Sequence, residues 1–193
     1  MAQTSTTLIA NKGHTGDIGP GTDIRFRTSD NAIAITTTSL SALKQYDIIT
    51  ITGSTLNNKD FTVKSKATDN LSIVVEEVVA LENAGATITI NHTGFVSAKA
   101  KGDGYYSKPD GLHTVAYKVS AGYPASTVIK MQGTLASTPT ESDWDNISGT
   151  DFTTDGTTTI KVVSFNFTGN YVYVRARATN VTGGTIETIY LNS

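Results

Sequence analysis

Histidines are the first residues to consider for chemistry in this chain. There are three, His14, His92 and His113. No two of them lie at the His-x-His or His-x-x-x-His spacing that lets a single strand or helix hold a metal ion. We therefore predict no histidine metal site.

Carboxylates are the second candidates. Glu141, Asp143 and Asp145 alternate along the segment ESDWDN, and alternate acids can bind calcium through their oxygens. The twelve-residue loop with its glycine and terminal glutamate is missing, so we favour a solvated loop in which Trp144 packs against the fold and Asp145 caps a turn. The other acids mostly occur in turns (Asp47, Asp60, Asp69, Asp103, Asp110, Asp151 and Asp155).

Signatures of nucleophilic catalysis and of phosphate binding are missing as well. No serine stands in a Gly-x-Ser-x-Gly elbow. The glycines of GHTGDIGPGT are not followed by the Gly-Lys-Ser/Thr of a phosphate-binding loop. We therefore predict a protein that is not an enzyme, with no catalytic residue, no metal ligand and no cofactor.

The segment NYVYVRARATN, residues 170–180, carries the side chains best suited to binding. The alternation of a strand places Tyr171, Tyr173, Arg175 and Arg177 on one face and the intervening Val and Ala residues on a core face. The Tyr-Tyr-Arg-Arg face suits a protein contact, a sugar-stacking surface, a single-stranded nucleic-acid site or a solvated strand face. These four residues are the candidate protein or glycan contact.

Composition limits the partners. The chain has 193 residues, a net charge of −2 and a pI of about 5.9, which argues against a protein that binds nucleic acid by neutralising phosphates. It has no cysteine, so a disulfide framework is excluded. No apolar run is long enough for a transmembrane helix, and the first residues do not resemble a signal peptide. We expect neither nucleic acid nor membrane as a partner.

The spacing of turn signals predicts an all-β fold. Threonine supplies roughly one residue in six, and β-branched residues favour strands. Short apolar segments recur between Gly, Asn and Asp turns, with no long helical pattern. We predict an extended arm at 1–22, a small antiparallel β barrel or sandwich at 23–96, a linker at 97–113 and an Ig-like or jelly-roll-like β-sandwich at 114–193.

Two sets of motifs add a resemblance. The segments VIKMQGTLASTPTESDWDNIS and FNFTGNYVYVRARATNVTGGTIETIYLN resemble a module of virion structural proteins of tailed bacteriophages, especially phages of marine and cyanobacterial hosts. The shared outline is the QGTL strand, the loop ending in Trp144, the TGNY-x-YVRA strand and the final GTI. YDIITITGSTLNNKDFTVKS and LSIVVEEVVALENAGATITI resemble a small β module of phage structural proteins.

The resemblance implies a structural protein of the virion, assembled in the host cytoplasm. It implies that the chain decorates or cements the capsid through arm and sheet-edge contacts, with major capsid or neck and tail proteins as partners. A homo-oligomer such as a trimer is expected. Two alternatives stay open: a neck, tail or fibre-associated virion protein, and a carbohydrate-binding β-sandwich that attaches to a host-surface glycan.

Overall fold

Antiparallel strands make up nearly all of the regular secondary structure in the described residues, which confirms the all-β prediction. The computed structural model describes residues 5–107 and 111–192, so residues 1–4 of the expected arm and 108–110 of the expected linker lie outside the described residues. Within these ranges the only helical segments are two short 3-10 turns, Asp103–Tyr106 and Glu141–Asp143. Accordingly, no helix in the described ranges is long and apolar enough to cross a membrane.

The strands follow one another closely along the described chain. Up to residue 96 they are β1 (Ser5–Gly13), β2 (Ile18–Gly21), β3 (Arg25–Arg27), β4 (Ala32–Ala34), β5 (Asp47–Thr52), β6 (Asp60–Lys66), β7 (Ser72–Val75) and β8 (Ile88–Val96). The others are β9 (Ala100–Lys101), β10 (Leu112–Val119), β11 (Val128–Thr134), β12 (Asp145–Asn146), β13 (Phe152–Thr153), β14 (Lys161–Thr168), β15 (Tyr173–Thr179) and β16 (Thr185–Asn192).

Two compact units share the chain. Thr15–Phe95 form one, the 15–95 unit, and the other, the two-segment unit, combines the described residues up to His14 with those from Val96 onward. We expected divisions at 22/23, 96/97 and 113/114; the two compact units divide the chain at 14/15 and 95/96.

The 15–95 unit is built on the strand order β8-β5-β6-β7-β4-β3, with β2 paired to β8. Alternating apolar residues of these strands meet in one core, where the rings of Phe26 and Phe61 stack with centroids 6.5 Å apart. Two of its turns use asparagine at positive φ, Asn31 at 52° and Asn70 at 58°. Asparagine tolerates this conformation because its short side chain bonds locally.

The two-segment unit is a β-sandwich. One sheet has the order β1-β16-β10-β14, and the other contains β12-β11-β15, with β13 beside β11 and β9 beside β15. The buried alternate residues of β10, β11, β15 and β16 fill the space between the sheets. Tyr117 lies within this core: its ring stacks on Phe152 at 6.5 Å and its hydroxyl donates to the carbonyl oxygen of Thr150 at 2.9 Å.

The N-terminal segment differs from the arm that we expected. Residues 5–13 form β1, which pairs antiparallel with β16 from Ser5 opposite Asn192 to Gly13 opposite Thr185. Ile9 is only 4% exposed. The segment thus belongs to a sheet of its own chain, because Ile9 is buried in the core and the backbone of β1 forms hydrogen bonds with β16.

The expected linker at 97–113 also contains ordered structure. β9 pairs with β15, the 3-10 turn Asp103–Tyr106 follows, and β10 begins at Leu112. Glycine and lysine suggested a flexible connection, yet Gly102 and Gly104 donate backbone hydrogen bonds to the carbonyl oxygens of Val172 and Tyr171 at 3.0 and 2.8 Å.

Candidate functional site

β15 carries the predicted Tyr-Tyr-Arg-Arg face. Its opposite face enters the core as expected, since Val174, Ala176 and Ala178 are at most 1% exposed. Tyr171 precedes the strand, and the other three candidates alternate along it. Their environments differ so much that they do not form one binding surface.

Arg175 is buried, contrary to an exposed position on a solvated face. It is 3% exposed, and its Nη1 and Nη2 donate to the two carboxylate oxygens of Glu141, each at 2.7 Å. Its Nε donates to Oε1 of Gln132 at 2.9 Å, and its guanidinium lies 4.3 Å from the centroid of the Trp144 ring. These contacts use the planar fork of arginine, so Arg175 holds the loop that carries Glu141 and Trp144 against β11 and β15.

The acidic loop that could have bound calcium is arranged differently from a metal site. Glu141 is paired with Arg175, and Asp143 accepts hydrogen bonds from the hydroxyl and the backbone N–H of Thr140, both at 2.7 Å. These bonds, that of the hydroxyl first, lower the pKa of Asp143. Asp145 lies in β12 opposite Gly133. In the described parts of the chain, no group of three or more His, Cys, Asp or Glu residues could hold a metal ion.

Tyr171 has a structural environment. A Cβ atom added to Gly133 would overlap the Tyr171 ring on one side, and one added to Gly169 would overlap it on another. The ring therefore fits a space that only these glycines leave open. Two glycines of the motif outline, Gly133 in QGTL and Gly169 in TGNY, therefore make room for the ring of Tyr171.

Tyr173 belongs to a surface cluster that the sequence did not indicate. The Nζ atom of Lys99 lies 4.3 Å from the centroid of the Tyr173 ring, and Tyr105 approaches the same ring with centroids 5.5 Å apart. Lys101 places its Nζ 4.0 Å from the Tyr105 centroid and 5.8 Å from that of Tyr106. We call Lys99, Lys101, Tyr105, Tyr106 and Tyr173 the aromatic–lysine patch.

Backbone pairing creates this patch. Lys101 in β9 lies directly opposite Tyr173 in β15, and the following 3-10 turn presents Tyr105 and Tyr106. Their rings make an edge contact at 5.2 Å and are 42% and 55% exposed. The sequence signal was the group Lys-Ala-Lys-Gly-Asp-Gly-Tyr-Tyr at 99–106, which we had assigned to a linker.

Lysine side chains supply the positive charge of the patch. A hydrogen bond with Tyr105 is the largest of the effects that raise the pKa of Lys101 above the ordinary value, at which lysine is already an ammonium ion at neutral pH. A cation over an aromatic ring is attracted by the ring quadrupole. Neither Lys99 nor Lys101 forms an ion pair with a carboxylate of the described ranges.

Arg177 lies at the far end of the face. It is half-buried and stands opposite Lys130 of β11, whose Nζ lies 3.2 Å from Oδ1 of Asp151. The four predicted residues therefore separate into a packed tyrosine, a patch tyrosine, a buried arginine and this half-buried one.

Two of the three histidines are buried beside carboxylates. His113 Nε2 lies 3.2 Å from Oδ2 of Asp103, and its ring stacks on Phe167 at 5.0 Å. His92 Nε2 lies 3.8 Å from Oδ1 of Asp47, in the 15–95 unit. His113 belongs to the two-segment unit and His92 to the 15–95 unit.

Two further carboxylates in the 15–95 unit support turns. Asp23 accepts bonds from Thr36 and Thr37, and these bonds, led by that from the Thr37 hydroxyl, lower its pKa to about 2. Burial opposes ionisation of Glu82, but bonds donated by the 54–57 loop outweigh it and lower its pKa to about 2. The lowered pKa values of Asp23 and Glu82 therefore result from hydrogen bonds that stabilise turns, and they do not indicate acid–base catalysis.

Comparison with known proteins gives only distant likenesses. No protein family and no curated protein sequence matches the chain. The K3 cleaved adhesin domain of Lys-gingipain from Porphyromonas gingivalis w83 is similar at 12% identity and a TM-score of 0.37, over 98% of this chain and 99% of that one. The isomalto-dextranase of Arthrobacter globiformis T6 complexed with panose aligns at 9% identity and a TM-score of 0.30, over 86% of this chain and 36% of that one. Similarity this distant carries no conclusion about function.

Proposed function

We propose that this chain is a non-enzymatic structural protein of a tailed-phage virion that decorates or cements the capsid surface. The motif resemblance supports this proposal, and so does the use that the fold makes of the motif residues. Gly133, Gly169 and Tyr171 pack together, while Trp144 and Arg175 fix a loop. A pattern whose residues serve packing is expected of a scaffold that binds neighbours.

The observation that carries the proposal is the outer edge of β14. This strand is the last in its sheet and pairs with β10 through eight consecutive residues, Lys161–Thr168, without a bulge. Its one charged residue, Lys161, bonds to Asp155 at 2.6 Å. Natural proteins protect free edges with charges, prolines or bulges, and β14 has little such protection.

The solvent face beside this edge is also suited to contact. Val162 is 60% exposed on β14, Leu112 58% on β10 and Tyr190 46% on β16. Ser164, Asn166 and Thr168 lie on the same face of β14, and Lys118, which stands opposite Val162, is paired with Glu187 at 2.7 Å, so the face is moderately apolar with its nearest charge compensated. Such a face adds buried area to any strand that pairs with the edge.

A second copy of the chain is the occupant that we propose for the edge. The order β1-β16-β10-β14 is antiparallel throughout, so β1 of a neighbouring copy placed beside β14 would continue the alternation. Pairing of two different edges is heterologous, and it forms a closed ring such as the expected trimer when the rotation between neighbouring copies closes.

Particle composition tests the proposal. Particles of a phage whose genome encodes this chain should contain the chain as a stoichiometric component, as measured by mass spectrometry. Cryo-electron microscopy of these particles should place its density on the capsid lattice. Density at the neck or tail would favour the alternative virion role instead. Purified particles without the chain would overturn the proposal.

The edge contact is tested separately with added charge. Val162→Lys with Ser164→Lys places two exposed lysines on β14, and Ser65→Lys with Thr68→Lys adds the same charge to exposed positions of the 15–95 unit. In size-exclusion chromatography with light scattering, the wild type and the control should form the same oligomer and the β14 variant should be a monomer. A monomeric wild type at high concentration would contradict self-assembly through this edge.

A further inference from the structure

The aromatic–lysine patch has features that a purely structural role does not require. Four of its members, Lys99, Lys101, Tyr105 and Tyr106, are exposed. Exposed aromatic rings clustered beside lysines are a common composition of binding surfaces, because each group brings contact area together with a polar tip. None of the patch residues belongs to β14.

The patch is held in place before any ligand arrives. A Cβ atom on Gly102 or Gly104 would overlap the backbone oxygens of Tyr171 or Asn170, so the turn lies close against the segment before β15. Asp103 accepts a hydrogen bond from the N–H of Gly111 at 3.0 Å and faces His113 at 3.2 Å. A backbone fixed in this way loses little conformational freedom on binding.

Two kinds of group define the ligand. Tyr105 and Tyr106, which are 42% and 55% exposed, offer aromatic rings that suit the flat C–H face of a pyranose ring. The ammonium groups of Lys99 and Lys101 lie over rings of the same patch, at 4.3 and 4.0 Å from their centroids, and suit an anionic substituent on that sugar. Charge-assisted hydrogen bonds to carboxylate or sulfate oxygens are stronger than neutral ones.

A nucleic acid would use similar groups, but the charge of the chain disfavours it. Phosphate-backbone binding grows with the number of cations along a groove, and this patch supplies two lysines in a chain of net charge −2. An acidic saccharide needs only one or two cations for each sugar that it places on the rings.

We propose that the aromatic–lysine patch binds acidic saccharide units, pyranose rings that carry a carboxylate or a sulfate. This moves the glycan contact away from the Tyr171–Arg177 face, of which only Tyr173 takes part. It also gives the ligand a chemical class that the sequence did not indicate. The binding is independent of oligomerisation at β14, so either property can fail without the other.

Titration calorimetry with defined probes tests the site. The probes are alginate oligosaccharides for carboxylates, dextran sulfate for sulfates, neutral dextran oligosaccharides and an oligothymidylate. The wild type should bind an acidic probe and bind the neutral one much more weakly, and the affinity should fall between about 50 and about 300 mM NaCl because screening weakens exposed charges. The alginate and dextran sulfate arms distinguish the two anionic groups.

Variants locate the binding. Lys99→Gln with Lys101→Gln should reduce affinity for the acidic probe by about tenfold or more, and Tyr105→Ala with Tyr106→Ala by a similar factor. Lys44→Gln with Lys64→Gln removes two exposed lysines from the 15–95 unit and should change it less than about twofold. All four altered patch side chains are exposed, and thermal melting confirms that each variant is folded.

Three results would overturn the inference: no binding of either acidic probe by the wild type, equal losses in the patch and control variants, or tighter binding of the oligothymidylate than of the acidic sugars. The last would assign the patch to single-stranded nucleic acid. Amide NMR shifts that move on titration at Gly102 and Gly104 would support the site independently of the variants.

Discussion

Arg175 and Glu141 form a two-pronged ion pair in which both guanidinium–carboxylate distances are 2.7 Å, although the two residues are 34 positions apart in the sequence. The arginine side chain is 4% exposed and the glutamate side chain 18%. The pair fastens a long loop to the face of β15 and lies directly beneath the only tryptophan. The sequence pattern suggested that Arg175 binds a partner, but in the structure Arg175 is buried and stabilises the fold.

Removing one partner of this pair should be costly. Glu141→Gln leaves a buried guanidinium without its counter-charge, so we expect the free energy of unfolding to fall by about 3 kcal/mol. Urea denaturation measures the loss, and Trp144 emission should shift to the red because its ring contacts Arg175. Arg175→Met combined with Glu141→Leu should cost less than the sum of the single changes. Additive losses would show that the two side chains do not depend on each other.

The packing of Tyr171 between two glycines gives a second prediction. Gly133→Ala should destabilise the fold by about 2 kcal/mol, because the added methyl group overlaps the ring. In a Tyr171→Ala background the same change should be nearly neutral. Gly149→Ala is the control, since its φ of 78° strains the backbone while no atom lies within 4 Å of the new Cβ. If Gly133→Ala lowered the free energy of unfolding equally in the wild type and in Tyr171→Ala, the methyl group would not overlap the Tyr171 ring.

Acid should weaken the 15–95 unit through Asp23 and Glu82. Their folded pKa values, both about 2, lie below the ordinary values of 3.8 and 4.5, so the folded state holds these groups ionised more strongly than the unfolded state. Their contribution is therefore full above about pH 4.5 and is lost as the pH falls towards 2. Glu82→Gln should lower the melting temperature at pH 6 and flatten its fall below pH 4.5. If the melting temperature of Glu82→Gln depended on pH in the same way as that of the wild type, Glu82 would not contribute to this pH dependence.

β1 distinguishes an integral strand from a loose tether. Ile9→Ala should lower the free energy of unfolding by about 2–4 kcal/mol, because Ile9 is 4% exposed in the two-segment unit. Thr7→Ala, at an exposed position of the same strand, should change it by less than about 0.5 kcal/mol. Denaturation followed by Trp144 emission measures both, since Trp144 lies in that unit. If neither Ile9→Ala nor Thr7→Ala changed the free energy of unfolding, residues 5–13 would be an arm that is not part of the sheet.

Local pattern was enough to predict much of the fold. Threonine content, short alternating segments and Asn turns gave an all-β chain, and the alternation of residues 172–178 put Val174, Ala176 and Ala178 in the core. These predictions succeed because strand periodicity and turn conformation depend on neighbouring residues. The same alternation placed Arg175 on the outer face, but it could not indicate that a distant loop would cover that face.

Only the tertiary structure decided how distant segments meet. Pairing over more than 170 residues made the expected arm into β1, and pairing between β9 and β15 turned the expected linker into the support of the aromatic–lysine patch. Long-range pairing depends on which strand edge and which core space remain available once the rest of the chain has folded, and no local pattern records that. The sequence by itself determined the strands and their inward faces, and the tertiary structure determined which outward side chains stay exposed to solvent.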